Sequence, residues 1–190
     1  FVKERISSMK KKNTAALTLT GLMTAVICIL GPLSVPIPVS PVPISLTSLA
    51  VCFIAVILGC RKGTISYLVY LLIGFAGIPV FSNFTGGPGK LLGPTGGYLI
   101  GFIFMALITG FFVDQFPGKV PMYIFGMILG TIVNYLLGTG WLACQAHLGF
   151  KAALFAGVIP FIPGDIIKIA VAAVFGTAVK KRIKKAGYLN

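Results

Sequence analysis

Residues 159–176 read IPFIPGDIIKIAVAAVFG. An aspartate and a lysine, Asp165 and Lys168, stand one helical turn apart at the head of an otherwise apolar run. The whole chain holds three acids, Glu4, Asp114 and Asp165. Proline is tolerated in the first turn of a helix, and an acid is favoured there because the helix dipole is positive at that end. The spacing therefore predicts a helix that opens at Pro163, carries Asp165 in its first turn and closes at the basic run KKRIKK, 180–185. From Asp165 to Lys180 such a helix rises roughly 22 Å, most of the way across a hydrocarbon core of about 30 Å.

The rest of the chain has the same character. Of 190 residues, 57% are hydrophobic and 10% charged, and the mean hydropathy is +1.00. A soluble domain carries roughly a quarter charged residues. The expected fold class is an all-α membrane protein, a six-transmembrane-helix bundle, since the length suits about six spans of roughly 20 residues. A net charge of +13 could suit nucleic acid, but the basic residues fall in blocks at the two ends and in short loops, which is how topogenic signals fall. No nucleic-acid partner is expected.

The expected spans are 14–31, 46–60, 64–80, 98–113, 120–140 and 163–180. Residues 32–45 form a proline-dense stretch without a charge and read as a stiff loop. Residues 81–97, FSNFTGGPGKLLGPTGG, read as a glycine-rich loop. Residues 141–162 read as a short surface helix ending near Pro160. A single integral membrane domain is expected over 1–190, with 1–13 as a tail and 14–185 as the core. FVKERISS before Met9 reads as an upstream extension or an expression remnant, and MKKKN as a natural bacterial start; no cleavable signal peptide is expected.

Loop charges give an orientation. With the N-terminus cytoplasmic, the inside collects the basic residues of the tail, Arg61, Lys62, Lys119 and the C-terminal cluster. The outside holds Lys90 and Lys151, and Lys168 lies within a span. Both termini are then expected inside. Asp165, the glycine-rich loop and the proline-rich loop converge on the outer side.

Ionisable groups in a membrane span are costly and tend to face a protein interior or a wet cavity. Asp165 and Lys168, at i and i+3, share one helix face. They can pair with each other to lock the helix end, or bind a polar ligand, or both. Burial of the couple is expected to be completed by a small polar guest. Asn83, Thr95 and Tyr98 are the polar groups of the glycine-rich region; turn or cap roles compete for the first two, and an interfacial anchor for the third. FSNFTGGPGK fails as a phosphate loop: Phe84 stands where a glycine is needed and Leu91 where a hydroxyl is needed. The cysteines, Cys28, Cys52, Cys60 and Cys144, form no C-x-x-C pair, and His147 is the one histidine. No metal site, catalytic residue or cofactor is expected. On the first span, Gly21 and Ala25, with Thr24 beside them, give a small-x-x-x-small face suited to close helix approach.

PVPISL (41–46), LLIGFAGIPVF (71–81), LLGPTGGYLIGF (91–102) and PGDIIK (163–168) occur in an order and spacing that resemble the BioY family, the biotin-binding S components of energy-coupling factor (ECF) transporters. The similarity runs from Thr14 to Lys185. It implies six helices and a high-affinity biotin site near the outer face. It also implies residence in a bacterial cell membrane and partnership with a transmembrane coupling protein and two cytoplasmic ATPases, which supply the energy. It places Asn83, Asp165, Lys168 and the segment with Thr95, Gly96, Gly97 and Tyr98 at the ligand, and Gly21, Thr24 and Ala25 at the coupling protein. Thr47 departs from a glutamine frequent in the family. Biotin offers two ureido N–H donors, a carbonyl and a carboxylate, all of which Asp165 and Lys168 can meet. Phe81, Phe84, Tyr98 and Trp141 are candidate apolar walls. An S component for thiamine or riboflavin, or a small membrane enzyme with Asp165 as acid–base, are the other readings of the same residues. A channel lacks a ring of pore charges.

Overall fold

The structure, a computed structural model, describes residues 2–38 and 40–188, with side chains from Thr14 onward except that of Phe150. Phe1 and the side chains of Lys3, Arg5 and Lys10 to Lys12, on which part of the charge bias rests, lie outside that description. Helix α1 (Val2–Leu30) leads into a hairpin of β1 (Ser34–Ile37) and β2 (Ser40–Ser45). Then come α2 (Thr47–Phe75), the short α3 (Pro88–Leu92), α4 (Gly96–Gln115), α5 (Val120–Gln145), the short α6 (Phe150–Gly157) and α7 (Ile162–Lys185). Helices α2, α4, α5 and α7 are long and apolar enough to cross a membrane, and Thr14–Leu30 forms a shorter apolar stretch.

Helix α2 is not straight. Gly59 sits at φ 77°, ψ −171°, outside helical space, and the chain reverses there. Gly63 comes to lie against the backbone of Ala55, eight residues away, a separation of roughly 12 Å in a continuous helix. Thr47, at the start of the first arm, meets the Tyr70 hydroxyl in the second. Asp114, near the end of α4, accepts the Cys60 N–H at 2.8 Å through Oδ2 and so caps the first free donor of the second arm. The expected break near Arg61-Lys62 thus falls two residues earlier, where glycine permits it. The second arm ends at Phe75 rather than 80, because the chain turns at Gly77 with φ 100°.

The proline-rich stretch is corrected from loop to hairpin. Ser34 pairs with Ser45, Val35 with Ile44 and Ile37 with Ser40, antiparallel, with an irregularity between Val35 and Ile37. A two-stranded sheet consists of edges alone, so prolines that would break a central ladder are accommodated.

The core is built on the two arms of α2, which pack against α1, α4 and α7, while α4 packs along α5. Tyr67, Tyr70, Phe81, Ile54, Ile57, Met105 and Met127 are fully enclosed there. A second, smaller cluster of Val42, Tyr98, Leu142 and Phe161 joins the hairpin to the adjoining ends of α4, α5 and α7. The outer surface of the helices is apolar: Leu17, Leu72, Leu136, Ile166, Ile167, Val174 and Phe175 are all exposed. Such a belt suits lipid, since a soluble monomer rarely leaves so much contiguous hydrocarbon uncovered.

Helix α7 buries one narrow stripe, Asp165, Ala172, Ala173 and Gly176. Residues 165, 168, 172 and 176 follow i, i+3, i+7, i+11 spacing, which is one helix face. The face that packs on α2 therefore carries the charged couple inward at its upper end.

The polar cavity at the head of the last helix

Phe161 caps the start of α7, and Pro163 stands in its first turn with Asp165. The Asp165 N–H donates to the Phe161 carbonyl at 2.9 Å, so the first hydrogen-bonded turn fixes the carboxylate against the bundle. Lys168 Nζ lies 3.0 Å from Asp165 Oδ1, and both side chains are 12% exposed. Ser48, in the first turn of α2, donates to Oδ1 at 3.2 Å. Tyr135, midway along α5, donates to Oδ2 at 2.6 Å. Lys168 also donates to the Ser45 carbonyl at 2.8 Å and to Ser48 Oγ at 3.1 Å. One ion pair thus ties together the end of β2, the start of α2, the middle of α5 and the head of α7.

This network changes one expectation. An ammonium has three donors, and all three of Lys168 have partners inside the protein. The couple survives burial because Ser45, Ser48 and Tyr135 satisfy it, not because a guest must. A carboxylate offers about four acceptor sites; among the described residues three contacts are made, two on Oδ1 and one on Oδ2, which leaves a place on Oδ2 for a further donor.

The couple opens on a cavity of about 50 Å³ lined by Val42, Ser45, Thr47, Ser48, Ser82, Thr95, Tyr98, Leu99, Phe102, Asn134, Tyr135, Phe161, Asp165 and Lys168. Ligand pockets are typically 300 Å³ or more, roughly, so this one is closed down. Asn134 is buried, and its Oδ1 has no hydrogen-bond partner among the described residues. An unmade hydrogen bond of this kind costs roughly 1–3 kcal/mol; the oxygen lies against Gly101 of α4, where an added Cβ would meet it. Beyond Tyr135 and Asp165, which form the dividing wall, a separate groove of about 520 Å³ runs between α5 and α7 among Ile128, Ile132, Leu136, Ile166 and Ile169. Its lining is almost wholly hydrocarbon, so the polar cavity is the one equipped for recognition.

The remaining expected residues divide. Thr95 and Tyr98 line the cavity, and the Tyr98 hydroxyl donates to the Gly157 carbonyl at 2.8 Å. Gly96 and Gly97 are buried but do not line it: Gly96 packs on the Leu91 backbone and Gly97 on Trp141. Their smallness serves the close approach of α4 to its neighbours. Asn83 also lies elsewhere. It is exposed, at φ 61°, its Oδ1 accepts from Ser34 Oγ at 2.8 Å, and its own N–H approaches the same hydroxyl at 2.8 Å. It latches the glycine-rich loop to the hairpin.

Of the candidate walls, Tyr98 alone lines the cavity. Phe81 is sealed in the core beneath Gly74, Phe84 is exposed, and Trp141 donates to the Gly93 carbonyl at 3.0 Å. Phe102 and Phe161 take their place. Thr47 is buried on the cavity wall and accepts from Ser45 Oγ at 3.1 Å. On α1, Gly21 and Ala25 are exposed, and a side chain at Gly21 would meet nothing within 4 Å. Thr24 turns inward to Ser66, 3.0 Å away, so it is not part of that outward face.

Ser45, Ser48, Asn134 and Tyr135 are the site residues missed in the sequence. Asn134-Tyr135 did carry a signal: an amide and a phenol side by side in the middle of an apolar span. The serines carried none, since a serine at a strand end or a helix start is ordinary.

The BioY family model matches residues 5–185 of the chain. A biotin transporter BioY of Rhizobium etli is 41% identical over 177 residues, covering 88% of this chain and 94% of that protein. The biotin transporter BioY2 of Lactococcus lactis is 37% identical over 171 residues, covering 90% and 92%. Among solved structures, a crystal structure of the S component for biotin from an ECF-type ABC transporter superposes with a TM-score of 0.85 at 32% identity, covering 90% of this chain and 93% of that one.

Proposed function

The chain belongs to the BioY family, and from that premise we propose that it is the biotin-binding S component of an ECF-type transporter and mediates biotin uptake. The observation that carries this reading is the polar cavity: the buried Asp165–Lys168 couple on a wall shared with Ser48, Asn134 and Tyr135. Asp165 Oδ2 has room for one ureido N–H. Lys168 can exchange a serine contact for a ligand oxygen. Val42, Leu99, Phe102 and Phe161 supply the apolar wall that the bicyclic ring and its tail require.

At about 50 Å³ the cavity must widen before a vitamin enters. The hairpin and the glycine-rich loop, joined by Asn83 and Ser34, are the natural cover and move together. Six membrane crossings follow if α1, the two arms of α2, α4, α5 and α7 each span once, with both termini cytoplasmic and the cavity near the outer face. The exposed Gly21–Ala25 face of α1 is the docking surface for the coupling protein, while partner ATPases hydrolyse ATP.

Equilibrium binding of biotin, thiamine and riboflavin to the purified chain, with product analysis alongside, tests this. Biotin bound and recovered unchanged is the expected result. Preference for another vitamin, or consumption of biotin, overturns it.

A further inference from the structure

The α5–α7 seam carries two features that the biotin site does not use. At its far end a pocket of about 280 Å³ is lined by Lys180, Lys181, Lys184, Thr177, Tyr123, Val120 and the Pro117–Gly118 turn. Lys180 is half-buried, with Nζ 5.6 Å from the Tyr123 ring centroid. The Tyr123 hydroxyl is held by the Gly118 N–H at 2.6 Å, so the pocket floor is fixed. Further along the same seam lies the apolar groove bounded by Ile128, Ile132, Leu136, Ile166 and Ile169. Helix α7 packs chiefly on α2 and touches α5 sparsely, which is why the seam gapes. Ile169 and Thr177, one bounding each feature, are two turns apart on α7, roughly 12 Å.

A cationic cup and a hydrocarbon groove in line call for one molecule with an anionic head and an apolar chain. We propose that this seam is a binding site for an anionic phospholipid, with the phosphate in the lysine pocket and an acyl chain laid along the groove. Lysine ammoniums are effective point-charge phosphate binders, and basic pockets between membrane helices recognise such headgroups. A free phosphate would fill the cup and leave the groove bare. The chain would also lie behind Tyr135 and Asp165, which wall the groove, and so brace the polar cavity from the lipid side. The site does not depend on which vitamin the protein binds.

Native mass spectrometry of the full chain released from nanodiscs of phosphatidylcholine with a minor share of phosphatidylglycerol tests it. The wild type should retain phosphatidylglycerol over phosphatidylcholine by on the order of ten-fold or more. K180Q/K184Q removes two pocket charges; R182Q/K185Q removes two from the same helix end outside the pocket. The first should abolish the preference and the second keep it, with biotin binding in both serving as the check on folding. I132W, which fills the groove, should also lower retention. Equal loss in the two double variants would mean general surface attraction. That result, no preference in the wild type, retention in I132W, or displacement of the lipid by inorganic phosphate would overturn the proposal.

Discussion

At Asp165 the sequence announces its site through scarcity: one of three acids, placed on the inward stripe of an apolar helix. What it does not announce is how the charge is tolerated, because Ser45, Ser48 and Tyr135 come from three other elements and meet it through tertiary structure alone. The energetics are then specific. Replacing Asp165 by Asn leaves Lys168 buried without its counter-charge, and removing one partner of a buried pair costs about 3–5 kcal/mol. Replacing both by apolar groups of similar volume is often neutral. D165N should therefore melt well below the wild type in detergent, while D165N/K168M, which removes the stranded ammonium though Asn stays polar, recovers part of the loss. A double variant as unstable as the single one would show that the loss does not come from the stranded Lys168 charge. Tyr135→Phe removes the shortest bond in the network, 2.6 Å to Oδ2. A hydrogen bond to a charged group contributes about 1.5–3 kcal/mol to stability, so Tyr135→Phe should melt below the wild type in detergent, and biotin affinity, measured by calorimetry, should fall as the carboxylate loses its anchor; unchanged affinity would remove Tyr135 from the site.

At the scale of elements, helices were legible and irregular pieces were not. Pro163 marks the start of α7 to within a residue, since cap chemistry is local, while the helix runs on through the basic closing run to Lys185. The proline-rich stretch misleads, because prolines argue against a ladder, yet a hairpin of two edge strands tolerates them. The reversal inside α2 depends on one glycine. Gly59 occupies a φ/ψ region that side-chain-bearing residues hold at a cost of about 1–3 kcal/mol, and a Cβ there would fall on the Asp114 carboxylate. Gly59→Ala should lower the melting temperature more than Asp114→Ala, which forfeits the cap on Cys60 alone; the opposite order would mean the turn is not strained by a side chain. Asn83, exposed and outside the cavity, links the two covering loops through Ser34. Asn83→Ala should quicken biotin release in stopped-flow measurements while leaving the cavity's own contacts intact. An unchanged release rate would sever the latch from gating.

For the molecule as a whole, the apolar exterior was legible from composition, and the polar cavity's location from the convergence of Asp165 with the proline-rich and glycine-rich loops. Its lining was only half legible: Thr95, Tyr98, Asp165 and Lys168 meet there, whereas Asn83, Gly96 and Gly97 serve the latch and the helix packing around it. The Gly21–Ala25 face of α1 covers nothing among the described residues. Ala25→Trp should leave biotin binding intact and abolish uptake in cells carrying the transporter; lost binding would place that face inside the fold. The most direct test of the account is a biotin titration of purified wild type and D165N/K168M, followed through Trp141, whose indole is bonded to the glycine-rich loop at Gly93. A saturable fluorescence change in the wild type and none in the folded double variant is the predicted result. Equal biotin affinity in the two proteins would contradict it.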